Sequence, residues 1–186
     1  MTQVFYVDIS SCDIKDSDML SLAPLRRSYV NTITDDIRKK QSVLVWKLLI
    51  YALKRVKKEV VDFQFDLLDN GKWLLKNCDL EFSLSHSKNI VTVAVSDREV
   101  GVDVECCQDK IKKAKNMLIK TEKCGDVSVL ELTRLWTEKE CKIKAKNGKI
   151  MSGITIDDLH NNKYYCSVYS IEEVNSFNEI SVNEIL

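Results

Sequence analysis

The fold is decided by the stretch Leu80-Glu81-Phe82-Ser83-Leu84-Ser85-His86-Ser87-Lys88-Asn89-Ile90-Val91-Thr92-Val93-Ala94-Val95-Ser96-Asp97-Arg98-Glu99-Val100-Gly101-Val102-Asp103-Val104-Glu105. Residues 80–84 alternate apolar and polar side chains and residues 90–95 are mostly apolar, which predicts two strands, and the polar residues 85–89 between them predict a connecting turn. Asp97 and Arg98 predict another turn, which leads into a third strand over residues 99–105. This stretch therefore predicts three strands joined by turns.

Both helices and strands are predicted on either side of this stretch, while residues 13–31 are polar and irregular. Before this stretch, the sequence predicts a strand over residues 4–9, a helix from Thr34, and strands at Phe63–Phe65 and residues 72–75 around the turn Asn70-Gly71. The helix from Thr34 carries an apolar stripe, formed by Ile37, Leu44, Leu48, Ala52 and Val56. After this stretch, the sequence predicts helices over residues 109–120 and 126–147, the second ending at Gly148, and β-rich stretches over residues 164–171 and 180–182. Because strands joined by turns are mixed with helices, the predicted fold class is α+β.

The charge balance excludes whole-molecule attraction to nucleic acid or to an acidic membrane. The 186 residues include 28 Lys+Arg and 28 Asp+Glu, so any anion site is built locally. The beginning of the sequence lacks signal-peptide features, and no apolar run reaches the ~20 residues that cross a bilayer. The seven cysteines include no C-x-x-C pair, which favours reduced, structural thiols over a zinc site or a disulfide framework. We therefore expect a cytoplasmic protein with neither nucleic acid nor membrane as partner.

Two acidic residues share one face of the third strand. Strand alternation places Gly101, Asp103 and Glu105 on the face opposite the valines, with successive Cα atoms about 7 Å apart. Like charges this close repel unless a cation lies between them. The alternative is an ordinary amphipathic strand with a solvated acidic face.

A second group of polar residues lies along the predicted long helix. Trp136, Glu140 and Lys144 are spaced i, i+4, i+8 and share a helix face. Such a face would wall off solvent while holding charge. The alternative is a solvated Glu140–Lys144 ion pair with Trp136 at the edge of the core.

A third motif is Ser85-His86-Ser87, at the end of the first strand of the opening stretch. Two hydroxyls and an imidazole at a strand end can donate hydrogen bonds to a phosphate. The alternative is a solvated histidine in a loop.

Together, these motifs resemble those of the surfactin-type (Sfp-type) phosphopantetheinyl transferases. That family has a phenylalanine-x-hydrophobic-serine-histidine-serine segment, a glycine-hydrophobic-aspartate-hydrophobic-glutamate strand and a tryptophan-x-x-lysine-glutamate-x-x-x-lysine helix, in this order and with similar separations. Weaker matches are Asn70-Gly71-Lys72, Ile119-Lys120-Thr121-Glu122, and the basic residues Arg26, Arg27 and Arg38. Trp73 and Cys141 depart from the family, which has a proline and a small residue at these positions.

The resemblance implies two similar α+β halves, residues 1–97 and 98–186, related by pseudo-twofold symmetry, with coenzyme A as co-substrate in the cleft between them. It implies Mg²⁺, or Mn²⁺, held by Asp103, Glu105 and Glu140. It also implies contacts to coenzyme A from Arg26 or Arg27, Arg38, Lys72, Ser85, His86, Trp136 and Lys144.

The implied reaction joins phosphopantetheine to a serine of an apo acyl or peptidyl carrier protein. Glu140 would act as the base, directly or through water, and Lys144 would stabilise the departing adenosine 3′,5′-bisphosphate. The built-in pseudo-dimer implies a monomer. Two alternatives are a non-catalytic relative that binds carrier proteins and a different metal-dependent phosphoester hydrolase.

Overall fold

A computed structural model describes residues 1–59, 62–69, 71–108 and 127–186. The helix predicted over residues 109–120, the weak match at residues 119–122, and Asn70 lie outside the described residues. The described elements are β1 (Thr2–Asp8), α1 (Asp16–Leu20), α2 (Pro24–Asn31), α3 (Asp36–Val56), β2 (Phe65–Leu67), β3 (Trp73–Leu75), β4 (Glu81–Ser87), β5 (Ile90–Ser96), β6 (Val100–Cys106), α4 (Val129–Lys144), β7 (Ile150–Asp157), β8 (Lys163–Ser170), β9 (Val174–Glu179) and a final 3-10 turn, Val182–Glu184. With 32% helix and 34% strand in several sheets, the predicted α+β class is confirmed.

The strands form two main sheets and a small β2–β3 hairpin. The first sheet has the order β4-β5-β1-β9, in which β1 is antiparallel to β5 and parallel to β9. The second sheet has the order β6-β8-β7 and is antiparallel throughout. A strand, a helix and a hairpin therefore occur twice in this order, as β1, α3, β4–β5 and as β6, α4, β7–β8. In both cases the first strand pairs with the second strand of the hairpin.

Helix α3 begins where Asp35 accepts a hydrogen bond from the backbone N–H of Arg38. Leu44, Leu48 and Ala52 of its predicted apolar stripe are fully buried, whereas Ile37 is exposed. The helix packs mainly on β5 of the first sheet. None of the helices among the described residues is long and apolar enough to cross a membrane.

Both faces of the first sheet are buried, because alternate residues of β1 and β5 enter different cores. Phe5 and Val93 lie in the core beneath α3. Val4 and Ala94 lie in a second core, together with Val102 and other residues of β6 and β8. The two sheets therefore meet directly, and the face of β6 that carries Asp103 is turned away from this second core.

Several predicted boundaries are wrong. The predicted turn over residues 85–89 is mostly strand, since β4 continues through Ser87. Its alternating serines look like turn residues because their hydrogen-bond partners lie on a strand distant in sequence. The predicted strand at Phe63–Phe65 begins only at Phe65, and the described part of the helix predicted over residues 126–147 is Val129–Lys144.

Other elements were not predicted at all. Residues 13–31 contain α1 and α2, which are too short to show helical periodicity, although Pro24 stands at the start of α2. Strands β7 and β9 were missed because edge strands are only half-buried and therefore carry many polar residues. The β-rich stretch predicted at residues 180–182 is not a strand.

Candidate functional site

The two sheets are joined by alternate serines of β4, which we call the serine ladder (Ser83, Ser85 and Ser87). Each hydroxyl accepts a hydrogen bond from a backbone N–H of β6: Ser83 from Val102 at 3.0 Å, Ser85 from Val104 at 3.2 Å, and Ser87 from Cys106 at 3.1 Å. Ser85 also donates to Oδ1 of Asp103 at 2.8 Å, and Ser87 donates to Oε1 of Glu105 at 2.6 Å. The ladder therefore fixes both the strand and its two carboxylates.

Asp103 is buried, with 8% of its surface exposed, and Lys144 neutralises it. Nζ of Lys144 lies 2.7 Å from Oδ1 of Asp103 and 2.8 Å from the carbonyl oxygen of Val102. It also lies 3.4 Å from the carbonyl oxygen of Leu84 on β4. Lys144 thus binds both strands from the last turn of α4.

Gly101 allows α4 to approach β6 closely enough for this contact. A Cβ atom at Gly101 would lie 2.4 Å from the carbonyl oxygen of Cys141 and 3.1 Å from Cβ of Lys144. Any larger residue would therefore push the end of α4 away from the strand. The glycine of the acidic strand thus positions Lys144 beside Asp103.

Four of the predicted site residues line one cavity of about 320 Å³, which we call the central cavity. They are Arg26, Ser85, His86 and Lys144. An adjoining cavity of about 490 Å³ is lined by Lys72 and also by Lys144. The site is therefore electropositive and lies where α2, β4 and the end of α4 meet.

Arg26 is the most unusual group in the central cavity, because it is a buried cation with only 4% of its surface exposed. Its Nη2 donates to the backbone and side-chain oxygens of Ser42, both at 2.8 Å. Its guanidinium lies 4.5 Å from the ring centre of Trp46, 5.0 Å from that of Tyr29 and 5.3 Å from that of Trp73.

No carboxylate within the described residues pairs with Arg26, and its buried Nε has no acceptor there. Burial lowers the pKa of Arg26 to about 10, so the group is still charged at neutral pH. A buried charge is costly unless it is paired. Its aromatic neighbours supply part of the compensation, and an anionic ligand in the cavity would supply the rest.

His86 lies exposed at the rim of the central cavity. The pKa of His86 is lowered below its usual value. The main cause is partial burial of the ring, and the positive charges of Lys144, Arg26 and Arg38 lower it further. Three cations acting on one imidazole indicate a site that favours negative charge.

The remaining predicted residues lie around this centre. Lys72 is exposed, 3.9 Å from Glu81, and Arg38 is exposed at the start of α3. Glu140 is half-buried, one turn before Lys144, and has no hydrogen-bond partner within the described residues. Trp136 packs against Lys139, 5.7 Å from its ring centre, and does not line the central cavity.

The residues do not fit the implied divalent cation as they are arranged. Oδ1 of Asp103 already accepts a hydrogen bond from Nζ of Lys144. Oε1 of Glu105 already accepts hydrogen bonds from the hydroxyl of Ser87 and from the backbone N–H of Cys106. In the parts of the chain that the structure describes, no group of three or more His, Cys, Asp or Glu residues is placed to hold a metal ion.

No protein-family model matches the chain, and no curated protein matches it either.

Sequence reasoning missed the aromatic residues around Arg26 and the role of Ser83 and Ser87. Trp73 was noted only as a departure from the family, yet it forms part of the cavity wall. The serines alternate as Ser83, Ser85 and Ser87, a period-2 pattern that could have indicated one strand face.

We predict that Ser85→Ala destabilises the fold by about 1–3 kcal/mol, because the buried N–H of Val104 loses its acceptor and Asp103 loses a donor. Urea denaturation measures the change. Ser17→Ala is the control, since Ser17 is exposed and its hydroxyl has no partner within the described residues; it should change stability by less than about 0.5 kcal/mol. Equal losses of unfolding free energy in the two variants would contradict the role of Ser85 in joining β4 to β6.

We also predict that pyrophosphate binding strengthens as the pH falls from about 7.5 to about 5.5, because an anion raises the lowered pKa of His86 and binding then takes up a proton. The gain should level off below the pKa of the free protein. Isothermal titration calorimetry at several pH values measures the pyrophosphate affinity of the wild type and of His86→Gln. Because the variant lacks the imidazole, its pH profile reports the protonation of pyrophosphate alone. Identical pH profiles would contradict an anion beside His86.

Proposed function

We propose that the protein transfers the 4′-phosphopantetheine arm of coenzyme A to a serine of an apo acyl or peptidyl carrier protein. The observation that carries the proposal is Arg26, a buried cation with no carboxylate partner among the described residues, in a cavity shared with His86 and Lys144. Coenzyme A bears a diphosphate and a 3′-phosphate, which are the kind of charge that such a cavity compensates. The order of the three motifs supports the same function.

The basic residues would hold the phosphates. Arg26 offers a planar, permanently charged group, and His86 offers a ring nitrogen that gains a proton when an anion approaches. Lys72 in the adjoining cavity and Arg38 at the rim would add positive charge along the ligand. Arg27 is less suited, because its Nη2 donates to the carbonyl oxygens of Leu20 and Leu22.

In the proposed reaction, the serine Oγ of the carrier attacks the β-phosphorus of coenzyme A. A bond from Oγ to phosphorus forms, and the bond from that phosphorus to the bridging oxygen breaks, which releases adenosine 3′,5′-bisphosphate. Glu140 would accept the serine proton, since its carboxylate has no hydrogen-bond partner among the described residues. Lys144, one turn later on the same helix face, would stabilise the charge on the leaving group.

The architecture supports the implied pair of halves. Strand, helix and hairpin recur in the same order, and the strand pairs with the same member of the hairpin in both cases. We propose that the halves are related by pseudo-twofold symmetry, that coenzyme A lies between them, and that the protein acts as a cytoplasmic monomer. Strand β9, however, crosses from the second half to pair with β1 of the first.

The proposal is tested by mass spectrometry of apo-carrier proteins incubated with the protein, coenzyme A and Mg²⁺. A carrier that gains one phosphopantetheine supports transfer. Cleavage of coenzyme A without a carrier would instead indicate a phosphoester hydrolase. Carrier binding with neither reaction would indicate a non-catalytic relative.

We expect Arg26→Gln to weaken binding of coenzyme A by about tenfold to a hundredfold, the range for loss of a charged hydrogen bond. Arg27→Gln removes the same charge from the neighbouring position and should leave affinity within about twofold of the wild type, because Arg27 bonds backbone carbonyls. Isothermal titration calorimetry measures both. If the two variants bind equally well, Arg26 does not hold the ligand.

We expect Glu140→Gln to slow carrier loading by at least about 10²-fold, the usual cost of losing a general base. Its melting temperature should stay close to that of the wild type, because Glu140 has no hydrogen-bond partner among the described residues. Glu138→Gln is the control: it removes the same charge from α4, at a side chain that pairs with Arg134 at 2.5 Å. Rates equal to those of the control would eliminate Glu140 as the base.

A further inference from the structure

A separate cavity of about 240 Å³ lies where the start of α3 meets the β4–β5 turn and the β7–β8 turn. We call it the lysine cavity, because both charged residues in its described lining are lysines, Lys40 and Lys88. It has no described lining residue in common with the central cavity. The proposed transfer reaction therefore makes no use of it.

Both lysines are partly withdrawn from water and are poorly compensated. The side chain of Lys40 is only 22% exposed, and its ion-pair partner Asp13 lies 3.8 Å away with a fully exposed side chain. Lys88 is half-buried and forms no ion pair with the described residues; its Nζ lies 3.5 Å from the amide oxygen of Asn162. Two such cations in the lining of one small cavity repel each other unless an anion lies between them.

The acidic residues next to this lining bind other groups. Asp158 accepts hydrogen bonds from the side chains of Asn89, Asn162 and Tyr164. Asp8 accepts hydrogen bonds from two backbone N–H groups, one on each of its oxygens. These carboxylates therefore stabilise the turns around the cavity and form no ion pair with its two lysines.

The backbone of Lys88 also indicates that its side chain has a role. Its φ angle is +45°, in the left-handed region that glycine and asparagine adopt more easily than lysine does. Residues held in such a conformation cluster at sites that bind ligands. The chain thus has a cation at a position where the turn alone favours a smaller residue.

Gln41 adds an acceptor to the same cavity. It is 5% exposed, and its Nε2 donates to the carbonyl oxygen of Lys88 at 2.8 Å, which fixes the orientation of the amide group. Its Oε1 accepts no hydrogen bond from the described residues. A ligand in this cavity would therefore meet two cations and one acceptor.

We infer that the lysine cavity binds a small oxyanion that carries a hydroxyl group, of which hydrogen phosphate is the simplest example. The two ammonium groups neutralise the charge of the anion, and its hydroxyl donates to Oε1 of Gln41. The site is a second anion site, independent of the one proposed for coenzyme A.

Isothermal titration calorimetry with inorganic phosphate at neutral pH tests this site. Lys88→Gly and Lys40→Gln should each weaken phosphate binding by at least about tenfold, the usual cost of losing a charged hydrogen bond. Both effects should persist when Arg26→Gln is added, because that substitution changes only the central cavity. Sulfate should bind at least about tenfold more weakly than phosphate, because it has no donor for Gln41.

Lys88→Gly also separates binding from folding. Glycine adopts a positive φ more easily than lysine, so without phosphate the variant should unfold at the same urea concentration as the wild type or at a higher one. Loss of phosphate binding together with a loss of stability would make Lys88 a structural residue and would overturn the inference. Lys40→Gln, on α3, tests the cavity without changing the turn.

Lys54→Gln is the matched control. Lys54 lies on the same helix as Lys40, is exposed, and does not line the lysine cavity. Its loss changes the net charge equally and should leave phosphate affinity within about twofold of the wild type, because exposed charges are screened. Equal weakening in Lys40→Gln and Lys54→Gln would reduce the effect to net charge and overturn the inference.

Two further results would overturn it. Equal affinities for sulfate and phosphate would show that the site responds to charge alone and that Gln41 binds no hydroxyl. Phosphate binding that Arg26→Gln abolishes and the two lysine variants leave unchanged would assign all of the binding to the central cavity.

Discussion

The hydrogen bonds between the serine ladder and the backbone of β6 are the constraint on which the site depends. A serine hydroxyl can accept and donate at once, so Ser85 joins a main-chain N–H to the carboxylate of Asp103. Because both strands repeat every two residues, three such contacts fix their register. A slip of one residue would turn Asp103 and Glu105 toward the core and would remove the partner of Lys144.

The features that could be predicted from sequence are those set by local periodicity. The valines of β6 and the apolar stripe of α3 identified a strand and a helix, and alternation placed Asp103 and Glu105 on one face. Ser85 and His86 were predicted as site residues in a turn, whereas both lie in β4. Both residues pair with β5 across the hairpin, so the strand continues to Ser87. The N–H of Val104, whose hydrogen bond Ser85 accepts, lies on β6, a separate strand, and leaves no local signal in the sequence around Ser85.

The choice between Arg26 and Arg27 shows a second limit of sequence reasoning. Adjacent residues of a short helix point in different directions, so one guanidinium enters an aromatic cavity while the other binds carbonyl groups. Trp46 and Trp73 come from separate elements and meet only in the folded chain. The orientation of Arg26 is therefore a tertiary property, and so is the contact between Lys144 and Asp103.

The parallel pairing of β1 with β9 also bears on how the chain folds. Thr2 pairs with Val174, and Tyr6 pairs with Glu179, so contacts of very long sequence separation complete the first sheet. During synthesis, β1 emerges early and keeps an unpaired edge until β9 has left the ribosome. Closing such a long loop costs entropy before any contact rewards it, which slows folding. The nascent protein is therefore most exposed to strand-to-strand association at this edge before β9 pairs with β1.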